Sequence, residues 1–144
     1  MNNVYEIKRA TENDYDMIEA FLLEVPAIDE VEEHILKNAS ILFLDNSLYG
    51  IISYEAFNNY ALIRYFVFKR NVDELVIKEL FCAVEETVRL NNIEFIFSLV
   101  NQVDIYDLFT SLGFKEVNKE DVYIEEVNFE KSKFKDTKLM LKKI

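Results

Sequence analysis

The spacing of apolar residues changes period several times along the chain. Val4 to Arg9 alternates apolar and polar residues, the pattern of a half-buried strand. Thr11 follows with Asp14 three residues on, a helix start in which hydroxyl and carboxylate can each satisfy a backbone N–H. Tyr15, Ile18 and Leu22 then recur at helical spacing until Pro26 halts the segment, and a short second helix is predicted over Val31 to Lys37. From Ser40 the period drops to two. Ser40 to Asp45, Leu48 to Phe57 and Tyr60 to Phe68 read as three strands, joined by Asp45-Asn46-Ser47 and Asn58-Asn59. Asparagine tolerates the positive φ of a tight hairpin turn, so the three strands are expected to form an antiparallel meander.

Beyond Phe68 the pattern becomes helical again, to about Leu90. Ile77, Leu80, Phe81, Val84 and Val88 form one apolar stripe, and Lys78, Glu79, Glu85, Glu86 and Arg89 fall on the other side. Ile93 to Val100 is apolar at both parities, which predicts a central strand covered on both faces. A shorter helix starts at Asn101, carries Ile105, Leu108, Phe109 and Leu112 on one face, and meets Gly113 where a left-handed cap is expected. Phe114 to Val117, Val122 to Phe129 and Lys138 to Ile144 complete the strands, with the charged connection Glu130 to Asp136 between the last two.

A length of 144 residues fits one domain, 1–144, and 51% hydrophobic residues supply a sizeable core. The 27 acidic and 16 basic residues leave a net charge of −11. That charge repels a polyanion and excludes nucleic acid as an expected partner, whereas an amine or a basic protein is electrostatically acceptable. Cys82 is the single cysteine, so no intrachain disulfide forms. The N-terminal stretch lacks the apolar core of a signal peptide and no apolar run reaches the length of a membrane span, so a cytoplasmic protein without membrane contact is expected. His34 has no second histidine or cysteine at metal-ligand spacing and reads as a surface residue; no metal is expected. Cys82 lies among Glu79, Glu85 and Glu86, an environment that disfavours a reactive thiolate.

The order strand, helix, helix, three-strand meander, long helix, central strand, helix, terminal hairpin resembles the GCN5-related N-acetyltransferase superfamily over nearly the whole chain. Leu108 to Phe114, "LFTSLGF", looks like the helix end of that family, and "FVFKR" at Phe66 to Arg70 looks like its strand lining the pantetheine of acetyl-CoA. The resemblance implies an α/β fold with a mixed, mostly antiparallel central sheet flanked by helices on both faces. It implies acetyl-CoA as co-substrate and transfer of its acetyl group to a small-molecule or peptide amine. It also assigns Val67 and Asn101 to cofactor binding.

The same resemblance exposes departures. The family holds the pyrophosphate in a glycine-containing corner, where backbone N–H groups at a helix start close on the anion. With Val67 on the family's valine, Lys69, Val72, Leu75 and Ile77 fall on the proline, the Arg/Gln and the two glycines; sliding the register to Arg70 gives Asp73 and Leu75 instead. Either register lacks glycine, and Asp73 and Glu74 occupy electrostatically the place of an anion. Lys69 and Arg70 remain as side-chain cations. The family's tyrosine acid falls on Phe109; Tyr106, one turn earlier, is the displaced candidate acid, against the commoner role of a tyrosine packing its ring with its hydroxyl in water. Glu55 is the candidate base by location, with Asp104 and Asp107 as further carboxylates, each also readable as a solvated surface charge. Tyr60, Tyr65, Phe66, Phe68, Phe95 and Phe97 line an acceptor pocket, plug it, or simply fill the core. An inactive binding or regulatory module on the same scaffold, recognising a protein partner, is the alternative function.

Overall fold

A computed structural model describes residues 5–119 and 137–144. The expected strand Val122 to Phe129 and the connection Glu130 to Asp136 lie outside these residues. The described elements run β1 (Tyr5–Arg9), a 3-10 turn (Glu12–Asp14), α1 (Tyr15–Leu23), α2 (Glu33–Leu36), β2 (Ser40–Leu44), β3 (Ser47–Phe57), β4 (Tyr60–Phe68), α3 (Glu74–Leu90), β5 (Phe95–Val100), α4 (Val103–Ser111), β6 (Lys115–Val117) and β7 (Lys138–Lys143). Among them the strands follow the sheet order β1-β2-β3-β4-β5-β7-β6. β1–β2, β2–β3, β5–β7 and β6–β7 pair antiparallel, with the exception that β4 and β5 run parallel, Tyr60 facing Phe95 and Leu62 facing Phe97. That exception follows from connectivity, since a helix-bearing crossover returns the chain in its original direction. The chain divides into two units, Met1–Glu55 with Arg64–Thr87 and Ala56–Ile63 with Val88–Ile144.

In the first unit, Asp45 and Asn46 at φ 50° and 66° make the two-residue turn between β2 and β3. Two consecutive positive φ values match the right-handed twist of the flanking strands, and Asp45, which the sequence puts both at the strand end and in the turn, belongs to the turn. Leu42 faces Gly50 but Phe43 faces Leu48, so Tyr49 is one extra residue on β3. This bulge puts Leu48 and Ile51 on one face, where they join Ile41, Ile18 and Leu22 of α1, and Ile35 and Leu36 of α2 in the core. Tyr54 serves α3 instead. The Thr87 hydroxyl donates to the Val84 carbonyl at 2.8 Å, so the buried Tyr54 hydroxyl is the donor of the 2.9 Å bond to Thr87. At the first turn, Asp14 accepts from the Thr11 amide at 2.9 Å and hydroxyl at 3.1 Å, with Lys8 3.1 Å away. The second helix is shorter than expected. Glu85, placed by its spacing on the solvated side of α3, is buried.

In the second unit, Leu62, Phe97 and Leu139 form a core bordered by Phe57, Tyr60, Phe95, Leu99, Val117 and Leu141. Two chain reversals follow one geometry. After α4, Gly113 at φ 100° lets the Phe114 amide donate to Phe109 and the Gly113 amide to Thr110, both at 3.0 Å. After α3, Asn92 at φ 58° does the same work, with Ile93 donating to Val88 at 3.1 Å and Asn92 to Arg89 at 3.0 Å. Each is a left-handed helix cap that satisfies the last carbonyls and packs the residue beyond against the last turn. In α4 that contact is Phe109 edge-on to Phe114, ring centroids 4.9 Å apart.

Candidate active site

The corner between β4 and α3 belongs to the first unit. It turns through Asn71 at φ 72°, so the left-handed residue that glycine supplies elsewhere is present as asparagine. Asp73 then caps α3. Its Oδ1 accepts from the Leu75 amide at 3.0 Å, and its carbonyl accepts from Val76 at 3.0 Å and Ile77 at 3.1 Å. Helix starts attract anions through such N–H groups; here the chain's own carboxylate has taken the position. Leu75 is 67% exposed on the outside of this turn. Val67, expected at the cofactor, is half-buried against the core of α1 and α2. Lys69 and Arg70 are exposed, with the Lys69 ammonium 4.7 Å from the centroid of the Tyr49 ring.

The second unit contains a cleft of about 370 Å³ at the start of α4, lined by Val100, Asn101, Gln102, Val103, Tyr106, Asp107 and Lys138. Three sequence candidates, Asn101, Tyr106 and Asp107, are thus brought together. Helix geometry explains part of this: Val103, Tyr106 and Asp107 sit at i, i+3 and i+4 on one face. The rest comes from strand pairing, since Lys138 opens β7 directly opposite Val100, the last residue of β5. Gln102 makes no side-chain cap at the start of α4. The Lys138 ammonium lies 5.1 Å from the Tyr106 ring centroid and 3.8 Å from Glu116. A hydrogen bond to the Glu116 carboxylate, reinforced by partial burial and the charges of Glu116 and Asp107, raises the Tyr106 phenol above the usual tyrosine range. Phe109 does not line the cleft; its ring is buried against Phe114.

Glu55 lies in the first unit and is already engaged. Arg64 contacts its Oε1, and the His34 ring lies 3.4 Å from its Oε2. Arg64 also pairs with Glu32, whose amide donates to the Tyr65 hydroxyl at 3.1 Å. Each Glu55 oxygen thus carries one partner, which leaves lone pairs on both but ties the carboxylate to Arg64 and His34. The expected aromatic residues serve mainly as packing: Tyr60 stacks on Phe95 at 5.5 Å and tilts against Phe97 at 5.1 Å, Phe66 meets Phe68 edge-on at 5.1 Å, and Tyr65 is buried in the first unit's core. His34 and Cys82 are exposed, and among the described residues no cluster of three His, Cys, Asp or Glu side chains is placed to hold a metal ion. No described helix is long and apolar enough to cross a membrane.

Sequence reasoning missed Lys138 and Glu116. Neither sits in a motif, and only the antiparallel register of β5, β6 and β7 brings them to α4. Tested against acetyl-CoA, the cleft offers amides, an apolar wall and one cation suited to an acyl-bearing arm. At the β4–α3 corner Lys69 and Arg70 supply side-chain cations for a diphosphate, while the Asp73 cap engages the amides of Leu75, Val76 and Ile77.

The chain has the GCN5-related N-acetyltransferase fold, a mixed sheet with one parallel pair flanked by helices. N-acetylglutamate synthase from Neisseria gonorrhoeae, complexed with coenzyme A and N-acetyl-glutamate, matches with a TM-score of 0.77 and 18% identity over 99% of this chain and 36% of the other. This chain therefore spans about a third of the synthase's length. An acetyltransferase from Streptococcus agalactiae matches with a TM-score of 0.73 and 13% identity over 97% and 98% of the two chains. The ribosomal-protein-S18-alanine N-acetyltransferase from Escherichia coli matches at 0.71 and 12% over 98% and 94%. No protein-family model and no curated protein matches the sequence.

Proposed function

We propose that the chain is an N-acetyltransferase that transfers the acetyl group of acetyl-CoA to an amine. The observation that carries this reading is the cleft at the start of α4, where Asn101, Tyr106, Asp107 and Lys138 converge on a fold shared with acetyltransferases. Asn101 can hold an amide of the acyl arm by hydrogen bonding. Asp107 is the carboxylate of the cleft and accepts the proton of the attacking amine, a role for which the engaged Glu55 is less suited. Holding the two reactants together contributes much of the rate in such a transfer, so a chain without the tyrosine at position 109 can still catalyse it.

A second reading has its own observation. The Asp73 cap on α3 leaves a diphosphate fewer main-chain donors, and this favours a binding or regulatory module that kept the scaffold and recognises a protein. Thermal unfolding with and without acetyl-CoA separates the two. An enzyme at a hundredfold excess over Kd gains about 2.7 kcal/mol of stability and a higher Tm. An unchanged Tm at millimolar acetyl-CoA would reject the enzyme reading.

A further inference from the structure

We propose that Lys138 is the group that takes the leaving-group charge in this chain, its ammonium facing the departing sulfur in place of a tyrosine acid. The assignment rests on the acetyltransferase reading above and names a residue that the fold alone does not point to.

Three observations lead to it. Position 109 has no hydroxyl, and its ring is committed to the cap of α4, edge-on to Phe114. Tyr106 keeps a hydroxyl, but the neighbouring Glu116 carboxylate raises the phenol above the usual tyrosine range, which makes it a weaker acid toward the cleft. Lys138 is the cation among the residues lining the cleft, in a chain whose net charge is −11. Its position is set by the backbone, because antiparallel pairing fixes it opposite Val100 at the end of β5. Its ammonium is steadied over the Tyr106 ring at 5.1 Å and is only loosely paired with Glu116 at 3.8 Å. Its side chain is 62% exposed, so the ammonium is a partly solvated cation whose attraction for a developing anion counts at contact distance, and among the described residues Glu116 is its ion-pair partner.

The chemistry balances without a further reactant. The amine nitrogen forms a bond to the acetyl carbon, the carbon–sulfur bond breaks, and its electron pair stays on sulfur as a thiolate beside Lys138. The proton lost by the nitrogen passes to Asp107 and on to water. An opposite charge within about 4–6 Å favours the charged form of a thiol, lowering its pKa by one unit or more. The same cation therefore marks the resting complex with the product thiol.

The test is a pH titration of bound coenzyme A, reading thiolate absorbance in the ultraviolet. In the wild-type complex the thiol is expected to ionise about one pH unit below free coenzyme A, a roughly tenfold gain in thiolate fraction on the rising limb. Lys138→Met is expected to return the thiol to its free value, and Lys138→Arg to keep the shift. An exposed lysine with a loose ion pair contributes about 0–1 kcal/mol to stability, so both variants should fold. Bound coenzyme A whose thiol titrates as in solution, or a shift that survives Lys138→Met, would overturn the role of Lys138 and leave the acetyltransferase reading standing. Failure of coenzyme A to bind the wild type would overturn both.

Discussion

Asp14 carries several jobs on one carboxylate. Burial pushes its pKa up, but the Thr11 amide, the Lys8 ammonium and the Thr11 hydroxyl outweigh burial and hold the group below the ordinary aspartate value. A carboxylate with a lowered folded pKa stabilises the fold above its unfolded pKa of about 4, and that contribution is lost as pH falls through the folded value. Asp14→Asn is therefore expected to cost about 0.5–2 kcal/mol at pH 7, in the range of a lost cap, with the gap from wild type closing below about pH 4. Urea midpoints of both proteins at pH 7 and pH 3 check this; a gap that stays constant would mean the carboxylate's charge is not what holds the turn. This residue was legible in advance, since Thr-x-x-Asp at a change of period is a local signal. Gly50 was not. Its need for a hydrogen side chain comes from the Phe68 ring, which a β-carbon there would strike.

The two helices flanking β5 differ at their starts and agree at their ends. The end of α4 was readable from Gly113, but the end of α3 was hidden because asparagine at the same backbone geometry looks like any polar residue. The start of α3 was half readable: the absence of glycine and the acids Asp73 and Glu74 were in the sequence, whereas the bond from the Leu75 amide to Asp73 needed the structure. Serine caps a helix about as well as aspartate but carries no charge. Asp73→Ser is thus expected to leave stability within about 1 kcal/mol of wild type while tightening coenzyme A binding about two- to fivefold, the range of one charge at a helix start. Isothermal titration measures it. Unchanged affinity would show that the Asp73 carboxylate does not oppose the diphosphate.

For the molecule as a whole, the fold was legible through a resemblance: the element order, together with Leu108 to Phe114 and Phe66 to Arg70 at the right distances, is similar to that of a known family. The candidate site was less legible. Its residues from Val100 to Asp107 lie close in sequence, at the end of β5, the loop after it and the start of α4; Lys138 of β7 arrives through strand order. The net charge of −11 bears on the acceptor. If the substrate is a cationic amine, its kcat/KM is expected to fall several-fold between about 0.05 and 0.5 M salt while that of a neutral amine changes little, since screening removes long-range attraction alone. Parallel salt series with the two amines decide this. The left-handed turns have a consequence of a different kind. Asp45, Asn46, Asn58, Asn71 and Asn92 adopt positive φ in a sequence with only two glycines. Glycine broadens the denatured ensemble more than any other residue, so a chain that bends on asparagine relinquishes fewer conformations as it folds and accepts, in return, a little steric tension at every corner.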